Sequence, residues 1–570
     1  MSKTVADVIV ETLAAAGAKR CYGVPGDTLN YVTDAIRRSG MRWVHVRHEE
    51  VGGFAAGADA LLSGELAACA GSCGPGSLHF INGLFESHRN RAPVVLIASQ
   101  VVRDELGFEF PQEVDFRSVY ASCSVFCDEI RTPTQARRKT AMAAQAALSK
   151  RGVAVLIVPA DISRSKAPNE PLFVVHKSQT VSRPADVEIE RIAEAINGSQ
   201  RVAIYAGSGC QYAHDQVVAL AERIRAPVAH TSRAKDFIEP ENPYNVGMTG
   251  VFGSEAGYHA LMHCNTLVLL GCDFAWRQFY PSDATIIQID IDGTHLGRRH
   301  PVSIGAVGDI ASTLDALLPV IHTKSDNAFL DDCCERHRKA SESQRKHAKI
   351  HEGLIHPQYL AETIAKHAKD DAVYTADGGS PMVWCLRHIP ATGRNRTLMS
   401  LTHGTMANAM PQALGAKAAF PDRQVISLSG DGGLSMLFGD LLTCIQEKLA
   451  IKICVVDNSS LGFVELEQKV EGLLDSYTDL LNPDFGKVAE AIGLWGRRVE
   501  RAEHLEDAVK EWMAYPGPAL LDAVTSRFEL IVPPKIEAPV MFGTALYSLK
   551  AILSGRGNDV VELVHDNVLK

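Results

Sequence analysis

An α/β chain of three consecutive helix-flanked parallel-sheet domains, ending in a short C-terminal tail, is the fold class that three observations predict. At 570 residues the chain exceeds what one hydrophobic core supports, and three domains of ordinary size fit its length. Short apolar strands alternate with helical patterns along most of it, the order that parallel sheets require. Finally, residues 423–456 read as an apolar strand, a glycine-rich turn at Gly430-Asp431-Gly432, a helix over 434–449 and a second apolar strand at 451–456.

The composition narrows the function. A hydrophobic content of 46% is enough to fill such cores, and a formal charge of −10 with a pI near 6.1 excludes a nucleic-acid surface. The 13 cysteines are scattered, odd in number and without metal-binding spacing, as expected of free thiols in a reducing compartment. Cys123 with Cys127 and the adjacent Cys333 and Cys334 fit a redox pair on spacing, but fit core or surface thiols better. Residues 4–17 carry Asp7 and Glu11 on a helical pattern, unlike a signal peptide, and no run is long and apolar enough to span a bilayer.

In chain order, residues 1–162 form the first domain, with strands expected at 20–23, 67–70, 94–98 and 153–158. Glu49 and Glu50 open a small-residue helix, where acidic side chains suit the N-terminal dipole. A stretch rich in Pro, Ser and Lys at 163–186 reads as a linker. Residues 187–323 form the second domain, with strands at 202–206, 228–230, 267–270 and 286–289. Its Gly207-Ser208-Gly209 turn follows a strand, and Asp290 ends another, a place suited to a ribose hydroxyl or an adenine edge. A charged segment at 324–351 reads as a solvated helix and linker, residues 356–527 form the third domain and 528–570 the tail. In the third domain Asp431 and Asn458 leave adjacent strand ends on one edge. Their oxygens suit a hard divalent cation that also needs phosphate oxygens, and the glycines let backbone amides approach a diphosphate.

The pairing of Gly430-Asp431-Gly432 with Asp457-Asn458 resembles the signature of thiamine-diphosphate-dependent enzymes, which usually ends in Asn-Asn. The resemblance implies pyrimidine-binding, FAD-binding and diphosphate-binding domains in that order, and thiamine diphosphate with Mg2+. Metal contacts would fall on Asp431, Asn458 and the backbone carbonyl of Ser460, so Asp457 is not expected to break the site. The implied contacts of thiamine diphosphate are Glu49, Gly404, Thr405, Met406, Asp431, Gly432, Gly433, Asn458, Ser459, Ser460, Leu461, Gly462, Phe463 and Val464. Met406 would wedge between the cofactor rings. Glu49, directly after His48, would share a proton with the pyrimidine so that the thiazolium carbon can be deprotonated.

Phe110-Pro111-Gln112-Glu113 is similar to the family's substrate-side loop, with Pro111 in place of an aromatic; it implies Gln112 at the substrate. Phe463 would also face the substrate and Glu467 would handle a proton or water, while His79 fits an acid-base role and a structural one equally. In the middle domain Thr249, Gly250, Val251, Phe252, Cys272, Asp273, Phe274, Ala275, Trp276 and Asp290 match the places where the oxidase and acetohydroxyacid synthase branches hold FAD.

Stretches including residues 47–51, 69–76, 82–85, 403–415 and 551–557 are similar to the flavin-dependent pyruvate oxidase branch. That branch implies oxidative decarboxylation of pyruvate to acetate and CO2, with electrons passed through FAD to a membrane quinone. It also implies a homo-oligomer, at least a dimer and in full a tetramer, that is cytoplasmic and peripheral on the inner membrane. Phospholipid would bind through the tail, where Val560, Val561, Leu563, Val564 and Val568 share one helical face and Asp559, Glu562 and Asp566 the other. The competing readings are a carboligase with structural FAD and an oxidase that uses phosphate and oxygen.

Overall fold

In the computed structural model, which describes residues 3–177, 181–527, 529, 538–554 and 560–561, the chain builds three parallel six-stranded sheets flanked by helices. Counting each domain's own strands, the first and third sheets share the order 2-1-3-4-6-5. The first runs Arg42–His45, Arg20–Gly23, Ala67–Gly71, Val94–Gln100, Val153–Pro159 and Phe126–Glu129. The third runs Arg396–Met399, Val373–Ala376, Val425–Gly430, Lys452–Asp457, Ala519–Val524 and Trp495–Val499. The middle sheet runs Ile304–Val307, Thr285–Asp290, Thr266–Leu270, Val202–Ala206, Val228–His230 and Asn245–Met248. Read from its other edge this is 3-2-1-4-5-6, the order of dinucleotide-binding sheets.

The interior strands are apolar on both faces because helices cover both, and Val94–Gln100 and Val153–Pro159 are buried along their whole length. One hydrophobic cluster runs without a break from the first sheet to the third. It joins Phe54, Ala55 and Leu84 to Met410, Ala413, Leu414 and Cys444. At its centre the helices Glu49–Ser63 and Ala409–Ala419 meet backbone to backbone.

The continuous helix expected over 434–449 is broken into Asp431–Met436, a 3-10 turn Phe438–Asp440 and Leu441–Gln446. The interruption aims the buried Asp440 carboxylate at the first domain, where it accepts the Arg47 amide at 2.8 Å and the His48 amide at 3.0 Å. Helical packing is given up there to cap the turn that precedes Glu49. All thirteen cysteines are free, and eleven are buried.

In the tail a helix Ala538–Leu553 lies on helix Gly462–Val470: Lys550 Nζ donates to the Gly472 carbonyl at 2.8 Å, and Lys469 Nζ sits 5.2 Å from the Tyr547 ring centroid. Of the amphipathic segment expected at 559–568, Val560 and Val561 are described and helical; the rest lies outside the described residues.

Candidate active site

The carboxyl edge of the third sheet gathers the residues that sequence placed at a diphosphate and metal site. Strands Val425–Gly430 and Lys452–Asp457 are neighbours, so Asp431 and Asn458 emerge side by side. Asp377, at the end of the next strand, fixes the turn: its carboxylate accepts the Gly430 amide at 3.1 Å and the Ala409 amide at 2.8 Å. Burial pushes Asp377 up to about 7, against the pull of those amides.

Gly433 must be glycine here, because a Cβ would lie 2.3 Å from the Asp377 carboxylate. A Cβ on Gly432 would come within 2.9 Å of Leu461 and 3.2 Å of Met406 Cε, so Met406, Gly432 and Leu461 share one small enclosure. Gly404 and Ala407 bracket Met406 with φ of 78° and 65°, and Ser459 has φ 53°. Two non-glycine residues in the left-handed region at one site mark backbone that its surroundings hold in place.

Asp457, in place of the family's first Asn, has partners of its own. It is 1% exposed and accepts the Asn482 amide at 2.8 Å, the Ser459 amide at 3.1 Å and Arg498 Nη1 at 3.2 Å. The guanidinium supplies the charge that this substitution demands. Asn482 donates equally to Asp431 at 2.8 Å and so bridges the two carboxylates. Burial, with Asp457 adding to it, pushes Asp431 up to about 6. Asp522, bound by Arg498 at 2.7 Å, is likewise pushed by burial to about 6.

Beyond Asn458 the chain turns through Ser459, Ser460 and Leu461 into helix Gly462–Val470, with Val464 exposed on its surface. The acid buried on this helix is Glu465, which holds the Ser460 hydroxyl, Lys469 and Arg527, the last at 3.0 Å. Glu467 lies on the exposed side, away from these residues. Sequence reasoning passed over Glu465, Asn482 and Arg498; the i,i+4 spacing of Glu465 and Lys469 reads as an ordinary surface pair, and Arg527, which arrives 62 residues later, gives no local signature.

In the first domain Glu49 is 9% exposed and stands beside Gly76 of the glycine turn. His79 Nδ1 lies 3.0 Å from Glu49 Oε2, and the His79 ring stacks on His48 at 4.7 Å. Gln112, in the left-handed region at φ 70°, sits against Gly74 and accepts the Cys73 thiol at 3.1 Å. Glu49, His79, Cys73 and Gln112 thus surround one turn. Among the described residues the Glu49 carboxylate meets His79 and not the Asp431 turn.

The candidate FAD residues occupy the carboxyl edge of the middle sheet from the Asp290 strand to the loop after Asn245–Met248, four strand spacings or about 19 Å. That span suits an extended dinucleotide. Thr249 and Thr231 each bury a hydroxyl with no hydrogen-bond partner among the described residues, and Gly250, at φ 109°, opens toward Phe274 and Trp276. Asp290 accepts His295 Nδ1 at 3.1 Å and the Asp292 amide at 3.0 Å, Asp273 pairs with Arg298 and Arg299, and Cys272 is buried. Val251 and Ala275 complete these loops. Phe252 reaches the third domain: its ring meets Phe463 edge-on at 6.0 Å, and its carbonyl accepts Arg387 Nε at 3.0 Å.

Comparison with known proteins agrees with this division. Residues 3–119 match the thiamine pyrophosphate enzyme N-terminal TPP binding domain, 189–317 its central domain and 377–523 its C-terminal TPP binding domain. The chain is 33% identical over 552 residues to the putative thiamine pyrophosphate-containing protein YdaP of Bacillus subtilis, covering 96% of both chains. It is 28% identical to the pyruvate oxidase of Lactiplantibacillus plantarum, over 90% of this chain and 87% of that one. It is also 28% identical to the acetolactate synthase isozyme 2 large subunit of Escherichia coli, over 92% and 96%. The chain belongs to the thiamine pyrophosphate enzyme family.

Proposed function

We propose that this enzyme decarboxylates pyruvate oxidatively to acetate and CO2 and passes the electrons through FAD to a membrane quinone, the activity of a pyruvate dehydrogenase (quinone). The observation that carries the reading is the Phe252–Phe463 contact, which joins the candidate FAD loop to the helix beside the candidate metal turn. A carboligase with structural FAD has no need of that proximity.

The residues fit both groups. Asp431 and Asp457 face each other, buried, through a single amide, an arrangement a divalent cation relieves. Asp431, Asn458 and the Ser460 carbonyl would hold Mg2+ and leave its other positions to phosphate oxygens and water. The unpartnered hydroxyls of Thr231 and Thr249 suit FAD. Bound there, thiamine diphosphate supplies the electron sink that lets a 2-oxoacid lose CO2, and FAD takes the two electrons left behind.

The protein's own part is positional. Met406, Leu461 and Gly432 define the enclosure, the Phe252 and Phe463 rings meet between the two loops, and His79 Nδ1 lies 3.0 Å from Glu49 Oε2. Gln112 would bind the substrate from the first domain, and Glu467, on the exposed side of helix Gly462–Val470, would handle a proton or water. Because Glu49 stands apart from the Asp431 turn, we assign the two to different subunits of one site, with at least a dimer and in full a tetramer. Exposed apolar side chains around each half, Tyr477, Leu481 and Met436 on one and Phe108, Phe110 and Leu78 on the other, support a covering second copy.

Among the described residues no helix is long and apolar enough to cross a membrane. Contact with quinone and phospholipid is assigned to the tail for its amphipathic pattern, on the cytoplasmic face of the inner membrane. Product analysis tests the reading: with pyruvate, a soluble quinone and liposomes the enzyme should yield acetate and CO2 in equal amounts. Acetolactate as the main product would reject it.

A further inference from the structure

Residues 82–85 and His403 take no part in the chemistry above, yet the structure brings them together. Helix Ile81–Arg89 of the first domain lies along residues 400–406 of the third. Asn82 Nδ2 donates to Thr405 Oγ1 at 3.1 Å and to Glu50 Oε1 at 2.7 Å, and Asn82 Oδ1 accepts His403 Nε2 at 2.8 Å. One turn further along the same face Glu86, 2% exposed, accepts the Ser400 hydroxyl at 2.6 Å, and Ser400 Oγ in turn accepts the Thr405 amide at 2.9 Å. Between these ties Phe85 stacks on His403 at 5.6 Å with an interplanar angle of 9°. Thr405 Oγ1 passes the chain on, donating to the Met406 carbonyl at 2.8 Å.

The loop gripped in this way is the strained one. Gly404 and Ala407 hold positive φ on either side of Met406, and an alanine stays in that region only where its surroundings dictate it. Residues 400–405 form no helix or strand; the Leu401 amide donates to the Met399 carbonyl at 3.0 Å and the Gly404 amide to the Ser400 carbonyl at 3.1 Å, and side-chain restraint is added from outside. Helix Ile81–Arg89 supplies it at both ends of the loop through side chains rather than backbone.

We infer that Asn82 and Glu86 are positioning residues for cofactor binding: they clamp residues 400–405 so that the Met406 turn keeps the shape thiamine diphosphate requires. The inference rests on the assignment of Met406 to the cofactor site. It adds that a first-domain helix, with no atom assigned to the cofactor, sets the affinity of the third-domain turn. Burial pushes Glu86 up to about 7, with Ser400, Asn90, Arg233 and Gln412 holding it down. A neutral replacement therefore tests its geometry more than its charge.

The test is Mg2+-dependent binding of thiamine diphosphate to the full-length apoenzyme, followed by calorimetry. Asn82→Ala and Thr405→Val should each raise Kd about tenfold, Asn82→Ala losing the bonds to Thr405, Glu50 and His403 and Thr405→Val those to Asn82 and the Met406 carbonyl. The double variant should lose less than the sum of the two single ones, because both changes break the Asn82–Thr405 bond. The apoenzyme melting temperature of Thr405→Val should fall by no more than about 2–4 °C, the cost of its own hydrogen bonds, which separates clamping from folding. Glu86→Gln should raise Kd less than Asn82→Ala, since an amide oxygen still accepts the Ser400 hydroxyl. Parent-like affinity in Asn82→Ala, or additive losses in the double variant, overturns the inference while leaving the site assignment intact. A parent that binds no cofactor overturns the assignment and the inference with it.

Discussion

Gly415→Ala tests the junction on which both halves of the site are built. Helix propensity alone favours the change by about 1 kcal/mol, since alanine is the better helix former in the interior of Ala409–Ala419. Packing opposes it. A Cβ at Gly415 would lie 2.1 Å from the Ala55 carbonyl oxygen and 2.7 Å from its Cα, backbone atoms of helix Glu49–Ser63 that have no rotamer to yield. Ordinary contact returns only if the two helices separate by roughly 1.3 Å, loosening a junction packed as densely as the rest of the core. Overpacking of this kind costs about 3 kcal/mol, so the net loss is about 2 kcal/mol, or roughly 4–8 °C in melting temperature for domains of this size. Gly198→Ala is the control: it ends helix Asp186–Gly198 with no atom within 4 Å of the added methyl, and should leave the melting temperature unchanged or slightly raised. Calorimetric melting of the three proteins decides between them. A Gly415→Ala protein as stable as the parent would mean that the first and third domains do not meet as described.

Asp431→Ala should abolish Mg2+-dependent retention of thiamine diphosphate, and normal metal-dependent affinity by equilibrium dialysis would refute the metal assignment. Glu49→Gln should fold and bind cofactor but lose about 10²-fold or more in turnover; unchanged exchange of the thiazolium proton by NMR would move the acid elsewhere. Arg498→Met leaves Asp457 and Asp522 buried without their cation, a loss of about 3 kcal/mol before discounting for the partial exposure of Arg498. Asp522 already titrates near 6, above its unfolded value, so it destabilises the fold as pH rises from about 4 through 6. The variant's deficit in melting temperature should therefore be large at pH 8 and shrink toward pH 4; a deficit independent of pH would contradict the pairing. Deleting residues 559–570 should leave flavin reduction by pyruvate intact while removing activation by lipid, and pyruvate-dependent sedimentation of the truncated enzyme with liposomes would show that the tail is not the anchor.

What the sequence made legible follows the burial of each strand. In the first and middle sheets the four interior strands are the four that an apolar run predicts, and in the third three of four, the strand that Asp377-Gly378-Gly379 closes and those on either side of the Gly430 turn. The fourth, Ala519–Val524, is interrupted by Asp522, the partner of Arg498. The unpredicted remainder, Arg42–His45, Phe126–Glu129, Asn245–Met248, Ile304–Val307, Arg396–Met399 and Trp495–Val499, are all edge strands. An edge strand is short and meets solvent along one side, so charged residues such as Arg42, Asp128 and Arg498 erase its periodicity. The site divides in the same way. Residues at strand ends, such as Asp431, Asn458 and Asp290, are visible because the turn motif and the strand before them are local. Asn482, Asp440 and Asn82 act on groups that arrive from far along the chain, and no spacing in sequence announces them.

On the function proposed above, the two candidate cofactor loops, joined at Phe252 and Phe463, work as one electron path. Anaerobic mixing of the holoenzyme with pyruvate, followed by flavin absorbance, tests it most directly. The flavin should bleach stoichiometrically, with one CO2 released per flavin reduced. Flavin that stays oxidised while pyruvate is consumed would contradict the claim and leave FAD a structural part of a carboligase.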